Sequence, residues 1–278
     1  MKPNAIIAGM MKSGTTSLYR WLCRHPQMVS CDAKEPHYFS ERWSRGERWY
    51  ASLFPASPKE ALTFEASQSY SHPDLANEVA ARIRKTLPEV RLIFVLRHPV
   101  ARARSEYRHQ VQRSREHRRF LEAVRDPASP YLRRSMYYTC LKPFLGAFPR
   151  EQLIFLRFED LFSSDHTEWR RLLLQLRIEV IDRPSVAVES TLRGPRRRKM
   201  TMILAGLGGA RVATRVPRRL RRLVRPLFVQ DDSDYRDLID SSWELLPPET
   251  EALVWEDVAR MEEWLGRELA WSEQQQPL

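Results

Sequence analysis

The chain is poor in the features that mark several large protein classes. It has only three cysteines, Cys23, Cys31 and Cys140, with no CxxC pair; this odd count without metal spacing argues against a disulfide framework and fits a reducing compartment. Its seven histidines are scattered without an HxH or HExxH group, so no metal is expected. No run approaches the roughly 20 apolar residues that span a bilayer. Residues 1–4 lead almost at once into an apolar segment, without the basic region and long apolar stretch of a signal peptide. A cytoplasmic protein is the expectation from that start. Internal repeats are lacking, and low complexity is confined to Gln274-Gln275-Gln276.

What is present fits one sizeable enzyme domain. The 278 residues, 42% of them hydrophobic, suffice for a large core, and we expect a single domain over 1–278. Apolar runs at Ala5–Gly9, Leu62–Ala66, Val90–Leu96 and Gln152–Phe158 read as strands. Segments 75–87, 100–124, 135–148, 168–176 and 248–269 read as helices. Such alternation predicts an α/β fold, a mainly parallel central sheet flanked by helices, with ligands at the carboxyl ends of the strands.

The richest stretch is the junction between the first strand and the first helix. After Gly9 come Met10, Met11, Lys12, Ser13, Gly14, Thr15, Thr16 and Ser17. An apolar strand that stops at a glycine, passes a lysine and enters a hydroxyl-rich helix start suits an anion: free helix amides and the dipole favour a phosphate, and Lys12 adds a point charge. A second such junction ends the strand 90–96, where Arg97, His98 and Pro99 precede a helix carrying Ser105. An arginine at a strand end and a serine two turns into the next helix suit the gripping of a second phosphate.

These two motifs, KSGTTSLYRWLCRHP and LRHPVARARSEYRHQ, resemble the phosphosulfate and 3′-phosphate motifs of sulfotransferases that use 3′-phosphoadenosine 5′-phosphosulfate (PAPS). The resemblance implies a P-loop-containing sulfotransferase-like fold. It further implies that Lys12, Ser13, Gly14, Thr15, Thr16 and Ser17 hold the 5′-phosphosulfate, and Arg97 and Ser105 the 3′-phosphate. His98 stands where the family has aspartate, which puts a local turn contact in question. A third run, KEPHYF from Lys34 to Phe39, resembles the heparan sulfate and related carbohydrate branch. By that match Glu35 is the general base, His37 lies beside the acceptor, and Lys12 steadies the leaving oxygen. Read alone, Glu35 is a surface carboxylate paired with Lys34, and His72 is a competing base. Glycosaminoglycan-modifying members carry a lysine where this chain has Ala66, which argues against a strongly anionic polysaccharide. Tyr137 and Tyr138 read as a core helix face, in a segment that the family places near adenosine.

Charge is concentrated in one place. The segment 193–225 holds twelve Lys or Arg and no acid, and without it the +11 chain falls to −1. It begins where the family places a basic loop, so Arg193, Arg196 and Arg197 are candidates for the 3′-phosphate. The rest, 200–225, reads as a lid, as a contact with anionic membrane, or as a solvated basic helix. The expected acceptor is a hydroxyl on a carbohydrate, a glycolipid or a small molecule. The product is adenosine 3′,5′-bisphosphate, no specific nucleic acid is bound, and the oligomeric state is left open. A P-loop kinase shares the first motif, but Arg97 stands where magnesium needs an aspartate; a nucleic-acid binder explains only 193–225.

Overall fold

Five parallel strands form one sheet in the order β2-β3-β1-β4-β5. They are β1 Ala5–Gly9, β2 Met28–Ser30, β3 Leu62–Ala66, β4 Arg91–Leu96 and β5 Leu153–Arg157. The computed structural model describes residues 2–56, 58, 60–113, 115–125, 129–185 and 232–271. The basic segment 193–225, with Arg193, Arg196 and Arg197, lies outside the described residues. The helices among the described residues are α1 Thr15–Leu22, α2 Gly46–Ser52, α3 Ala76–Thr86, α4 Pro99–Gln112, α5 Phe120–Arg125, α6 Pro130–Arg133, α7 Tyr137–Ala147, α8 Phe158–Leu161, α9 Thr167–Leu176, α10 Asp232–Ser241 and α11 Pro248–Leu265. None is long and apolar enough to cross a membrane.

Parallel strands need crossovers, so both sheet faces are covered and the strands are mainly apolar, with Thr63 and Glu65 of β3 the buried polar exceptions. Alternate residues serve alternate faces. Ile6, Ala8, Leu92, Phe94 and Phe155 join a cluster with α3, α7 and α11, which supply Val79, Ile83, Leu141, Phe144 and Met261. Ile7, Ile93, Val95, Ile154 and Leu156 join the other, with Leu18, Trp21 and Leu22 of α1 and Trp169, Leu172 and Leu173 of α9. Each fully buried large side chain contributes about 1.5–3 kcal/mol. The chain crosses from one side of β1 to the other between β3 and β4. That reversal leaves the carboxyl end of β1 as the topological switch point where such sheets bind ligands.

The helix expected over 100–124 is in fact two, α4 and α5. Glu116 lies between them: its carboxylate accepts the backbone N–H groups of His117 and Arg118 and the Arg118 side chain at 2.9–3.1 Å, a local alternative to the helical ladder. Similarly, 135–148 becomes helical only at Tyr137, and 248–269 stops at Leu265, where Gly266 takes a left-handed φ of 64°. The strand β2 and helix α2 carry no sequence signal above their short lengths.

The chain divides into two compact units, residues 1–103, 130–189 and 247–278 forming one, and 104–129 with 190–246 the other. Within the second, Tyr107 donates to the Arg118 carbonyl at 2.8 Å, Ser241 accepts the Phe120 amide at 3.1 Å, and Arg119 pairs with Asp237 at 2.8 Å. The sheet and both core clusters belong to the first.

One buried acid fastens α11 to the start of α7. Asp257 accepts the amides of Tyr138 and Thr139 at 2.8 and 3.0 Å and the Thr139 hydroxyl at 2.6 Å. Asp257→Ala removes this cap and leaves buried donors unpaired, so a loss of about 2–3 kcal/mol is expected. Urea unfolding measures it, and an unshifted midpoint would refute the capping role.

Candidate active site

The strand β1 ends at Gly9 because nothing larger fits: a Cβ there would lie 2.2 Å from Ser71 Oγ. The next turn requires positive φ twice, 70° at Lys12 and 80° at Gly14. At Gly14 a side chain would also strike the Phe162 ring at 2.6 Å. Two arginines hold the turn by its carbonyls, Arg102 donating to Met11 O and Arg97 to Lys12 O, each at 3.3 Å. With these two carbonyls engaged, the leading amides of α1 are left for another acceptor. Ser13 is fully buried and its Oγ has no partner. A buried orphan hydroxyl in such a loop is the mark of a site shaped for an anion.

Arg97 sits at the end of β4, half-buried, with its guanidinium 4.6 Å over the Phe158 ring. The buried Tyr137 hydroxyl fixes the Arg97 backbone on both sides, accepting its N–H at 3.3 Å and donating to its carbonyl at 2.5 Å. Burial pulls the Arg97 pKa down from its ordinary value, but an arginine stays charged. His98 supplies its own turn contact, Nδ1 accepting the Ala101 amide at 3.4 Å, while Glu159 accepts the His98 amide at 2.9 Å. Ser105 lies on α4 as expected, in the part belonging to the second unit. Tyr137 is a core residue. Ser135 is equally buried, accepting Arg102 Nε at 2.7 Å and donating to the Pro99 carbonyl at 2.8 Å.

The loop after β2 reaches the phosphate turn through Lys34. Its Nζ lies 3.0 Å from Thr16 Oγ1 on α1 and 3.2 Å from Glu35 Oε1. Glu35 therefore pairs with Lys34, as a surface carboxylate would, yet that same lysine ties it to the turn. The other Glu35 oxygen is 3.5 Å from His37 Nε2. His37, foremost, and then Lys34 lower the Glu35 pKa despite partial burial. Reciprocally, Glu35 raises the His37 pKa, opposed by burial and helped by Glu41 and Glu65. A carboxylate ionised at neutral pH thus stands beside an imidazole whose charged form it favours. His72, the alternative base, makes a local pair with Asp74 at 3.6 Å.

Beneath these residues is a buried acid, the neighbour of Ala66, to which the sequence gives no role. Glu65 of β3 is fully enclosed, and three hydroxyls point at it: Ser67 at 2.6 Å, Tyr70 at 2.8 Å and Tyr50 at 3.0 Å. Burial pushes its pKa up to about 7, with the three hydroxyls pulling the other way. Its one signal in the sequence is a lone acid inside the apolar run Leu62–Ala66, an arrangement that costs several kcal/mol unless the charge is bonded. Arg102 is equally hidden in the sequence, because an arginine on a helix reads as surface.

Of the predicted residues, the fold brings Lys12, Ser13, Gly14, Thr16, Glu35, His37 and Arg97 to the carboxyl end of β1 and its neighbours. Thr15 and Ser17 lie on the first turn of α1. No cluster of His, Cys, Asp and Glu suited to a metal occurs among the described residues.

The family model for the sulfotransferase domain matches residues 2–180. Mouse heparan sulfate glucosamine 3-O-sulfotransferase 3B1 is 33% identical over 178 residues, 61% of this chain and 45% of that protein. The human heparan sulfate glucosamine 3-O-sulfotransferase 6 is also 33% identical over 178 residues, 61% of this chain and 51% of its own length. The chain spans about half the length of the curated relatives it matches. Among solved structures, a sulfotransferase from Alicyclobacillus acidocaldarius superposes with a TM-score of 0.66 at 23% identity, covering 96% of this chain and 97% of that one. That likeness is one of fold.

Proposed function

Since the chain belongs to the sulfotransferase domain family, we propose that it transfers a sulfuryl group from PAPS to a hydroxyl, leaving adenosine 3′,5′-bisphosphate and a sulfate ester. The observation that carries this reading is the Lys34 bridge, which sets an ionised carboxylate beside a phosphate turn. PAPS, when bound, supplies the activated sulfuryl group. The residues fit such a ligand: Ser13 Oγ, the first amides of α1 and Lys12 suit the 5′ end, and Arg97 the 3′-phosphate.

The chain's own residues then have distinct tasks. Glu35 accepts the proton of the acceptor hydroxyl, which is a poor nucleophile while protonated. His37 holds the carboxylate in place and, charged, keeps it ionised. Lys12 and the loop amides stabilise the negative charge that grows on the leaving bridge oxygen. Catalysis of this kind rests on positioning and charge, like phosphoryl transfer, rather than on a covalent enzyme intermediate. Ser105, Arg193, Arg196 and Arg197 are assigned by sequence to the same 3′-phosphate as Arg97.

The acceptor we assign is a carbohydrate hydroxyl. The curated relatives are named for heparan sulfate glucosamine, and the run Lys34–Phe39 resembles that branch. Ala66, packed in the second core cluster, offers no cation there, which favours a neutral or weakly charged sugar over a dense polyanion.

The donor assignment predicts that adenosine 3′,5′-bisphosphate binds far more tightly than AMP. Each charged hydrogen bond to the 3′-phosphate contributes about 1.5–3 kcal/mol, so two of them separate the affinities by roughly 100-fold or more. Calorimetric titration of both ligands decides it, and equal affinities would sink the PAPS assignment. Added magnesium should change neither.

A further inference from the structure

The Glu35 and His37 pair stands on a backbone turn that is strained by itself. His37 has a φ of 51°, in the left-handed region that histidine rarely occupies. Its carbonyl accepts the amides of Glu41 and Arg42 at 2.9 and 3.1 Å and the Ser40 hydroxyl at 3.3 Å. Its own amide donates to Ser67 Oγ at 3.0 Å, across thirty residues of sequence. The ring is held from the far side, Nδ1 lying 2.7 Å from Ser69 Oγ, which is itself 2.7 Å from Ser40 Oγ.

Ser67 can accept the His37 amide because its single proton is committed elsewhere, to Glu65 Oε2 at 2.6 Å. The other Glu65 oxygen takes the hydroxyls of Tyr50 and Tyr70. Tyr70 in turn accepts the Phe39 amide at 3.4 Å, so the same acid braces the turn at a second point, two residues on. Three hydroxyl donors converge on a group that, when ionised, only accepts. A neutral amide has a single acceptor oxygen and sets its NH2 against one of them.

We propose that Glu65 is a positioning residue of the transfer reaction, acting through Ser67 and Tyr70 to hold the left-handed His37 turn and thereby the relative placement of the Glu35 carboxylate and the His37 ring. This rests on the assignment of Glu35 and His37 above. A buried charge is a poor source of stability, since replacing it with packed apolar groups is often neutral. Its retention under an active-site turn is explained by the geometry it enforces. The acid touches neither acceptor nor donor ligand; it fixes what does.

The test reads the turn directly. In 15N-labelled full-length protein, the His37 ring is titrated by NMR in the wild type, Ser67→Ala and Glu65→Gln. Adenosine 3′,5′-bisphosphate binding and the unfolding midpoint are measured in parallel. The groups facing that ring are Glu35, Glu41 and Glu65. In Ser67→Ala all three carboxyl groups remain, but Glu65 loses a hydroxyl that lowers its pKa; the double variant with Glu35→Gln separates that effect from the placement of the ring against Glu35. The His37 titration is expected to fall towards the ordinary imidazole value of about 6.5, with bisphosphate binding unchanged. Glu65→Gln should do the same. Ser67→Ala added to Glu35→Gln should shift the titration no further than Glu35→Gln alone, the sign that both act through one contact. A His37 titration that stays raised in folded Ser67→Ala overturns the proposal. So does the failure of both Ser67→Ala and Glu65→Gln to fold, which would make the network a stability element. Loss or retention of sulfuryl transfer in Glu35→Gln bears on the catalytic reading separately.

Discussion

Replacing Glu35 by glutamine is expected to lower turnover roughly 100-fold or more while leaving adenosine 3′,5′-bisphosphate binding intact, because general-base catalysis contributes on the order of 10²–10⁴-fold. Glutamine keeps the shape and can still accept a bond from Lys34, but it cannot take a proton. The surroundings of Glu35 sharpen the expectation. His37 and Lys34 hold its pKa below the ordinary carboxylate value, so the acid limb of the rate profile should lie below the ordinary carboxylate range. At neutral pH the base is then already in its working form. The raised His37 pKa carries the opposite sign: the imidazolium persists above its ordinary titration and is lost as pH rises through the folded value, releasing one restraint on Glu35. Single-turnover rates with radiolabelled PAPS and a panel of sugars decide the matter. Near-normal rates in Glu35→Gln, with His37→Ala or His72→Ala inactive, would transfer the base to a histidine and detach the protein from the carbohydrate branch.

Lys12→Ala should lower turnover by about 10²–10³-fold and weaken bisphosphate binding far less. The distinction lies in when the charge is needed. Bound product presents phosphates that the α1 amides and Arg97 also serve, whereas the bridge oxygen acquires its full charge only as the sulfuryl group departs. The mutant should fold, since Lys12 is a loop residue and the turn is held by its carbonyl, which Arg97 bonds at 3.3 Å whatever the side chain. Alanine tolerates the left-handed φ of 70° no worse than lysine does. Comparing kcat with the calorimetric Kd separates the alternatives. Equal losses in both would make Lys12 a binding residue only.

The contrast between Lys12 and Glu65 explains why one is legible in the sequence and the other is not. Lys12 belongs to a device whose parts are contiguous: a strand end, two turn positions at positive φ and a helix start fall within ten residues, each with its own composition signal. Arg97 belongs to a second strand-to-helix junction, at the end of β4 and ahead of α4. Glu65 acquires its role from Tyr50, Ser67 and Tyr70, which converge on it only when α2 and the turn after β3 pack under one sheet end. The break between α4 and α5 is hidden for a related reason. Glu116 looks like a helix former until its carboxylate turns back on two neighbouring amides.

The sequence by itself determined the strand-to-helix junctions and the two-faced parallel sheet, because backbone hydrogen bonding, residue periodicity and glycine or proline punctuation act over a few residues. Only the tertiary structure decided that Lys34 joins Thr16 to Glu35, that Arg97 and Arg102 hold the phosphate turn, and that a buried carboxylate underlies His37. The Lys34–Thr16 and Arg102–Met11 contacts join residues 18 and 91 apart in sequence. They are created when the strand order places β3 and β4 on either side of β1, and no local pattern encodes which side chains meet at that shared end.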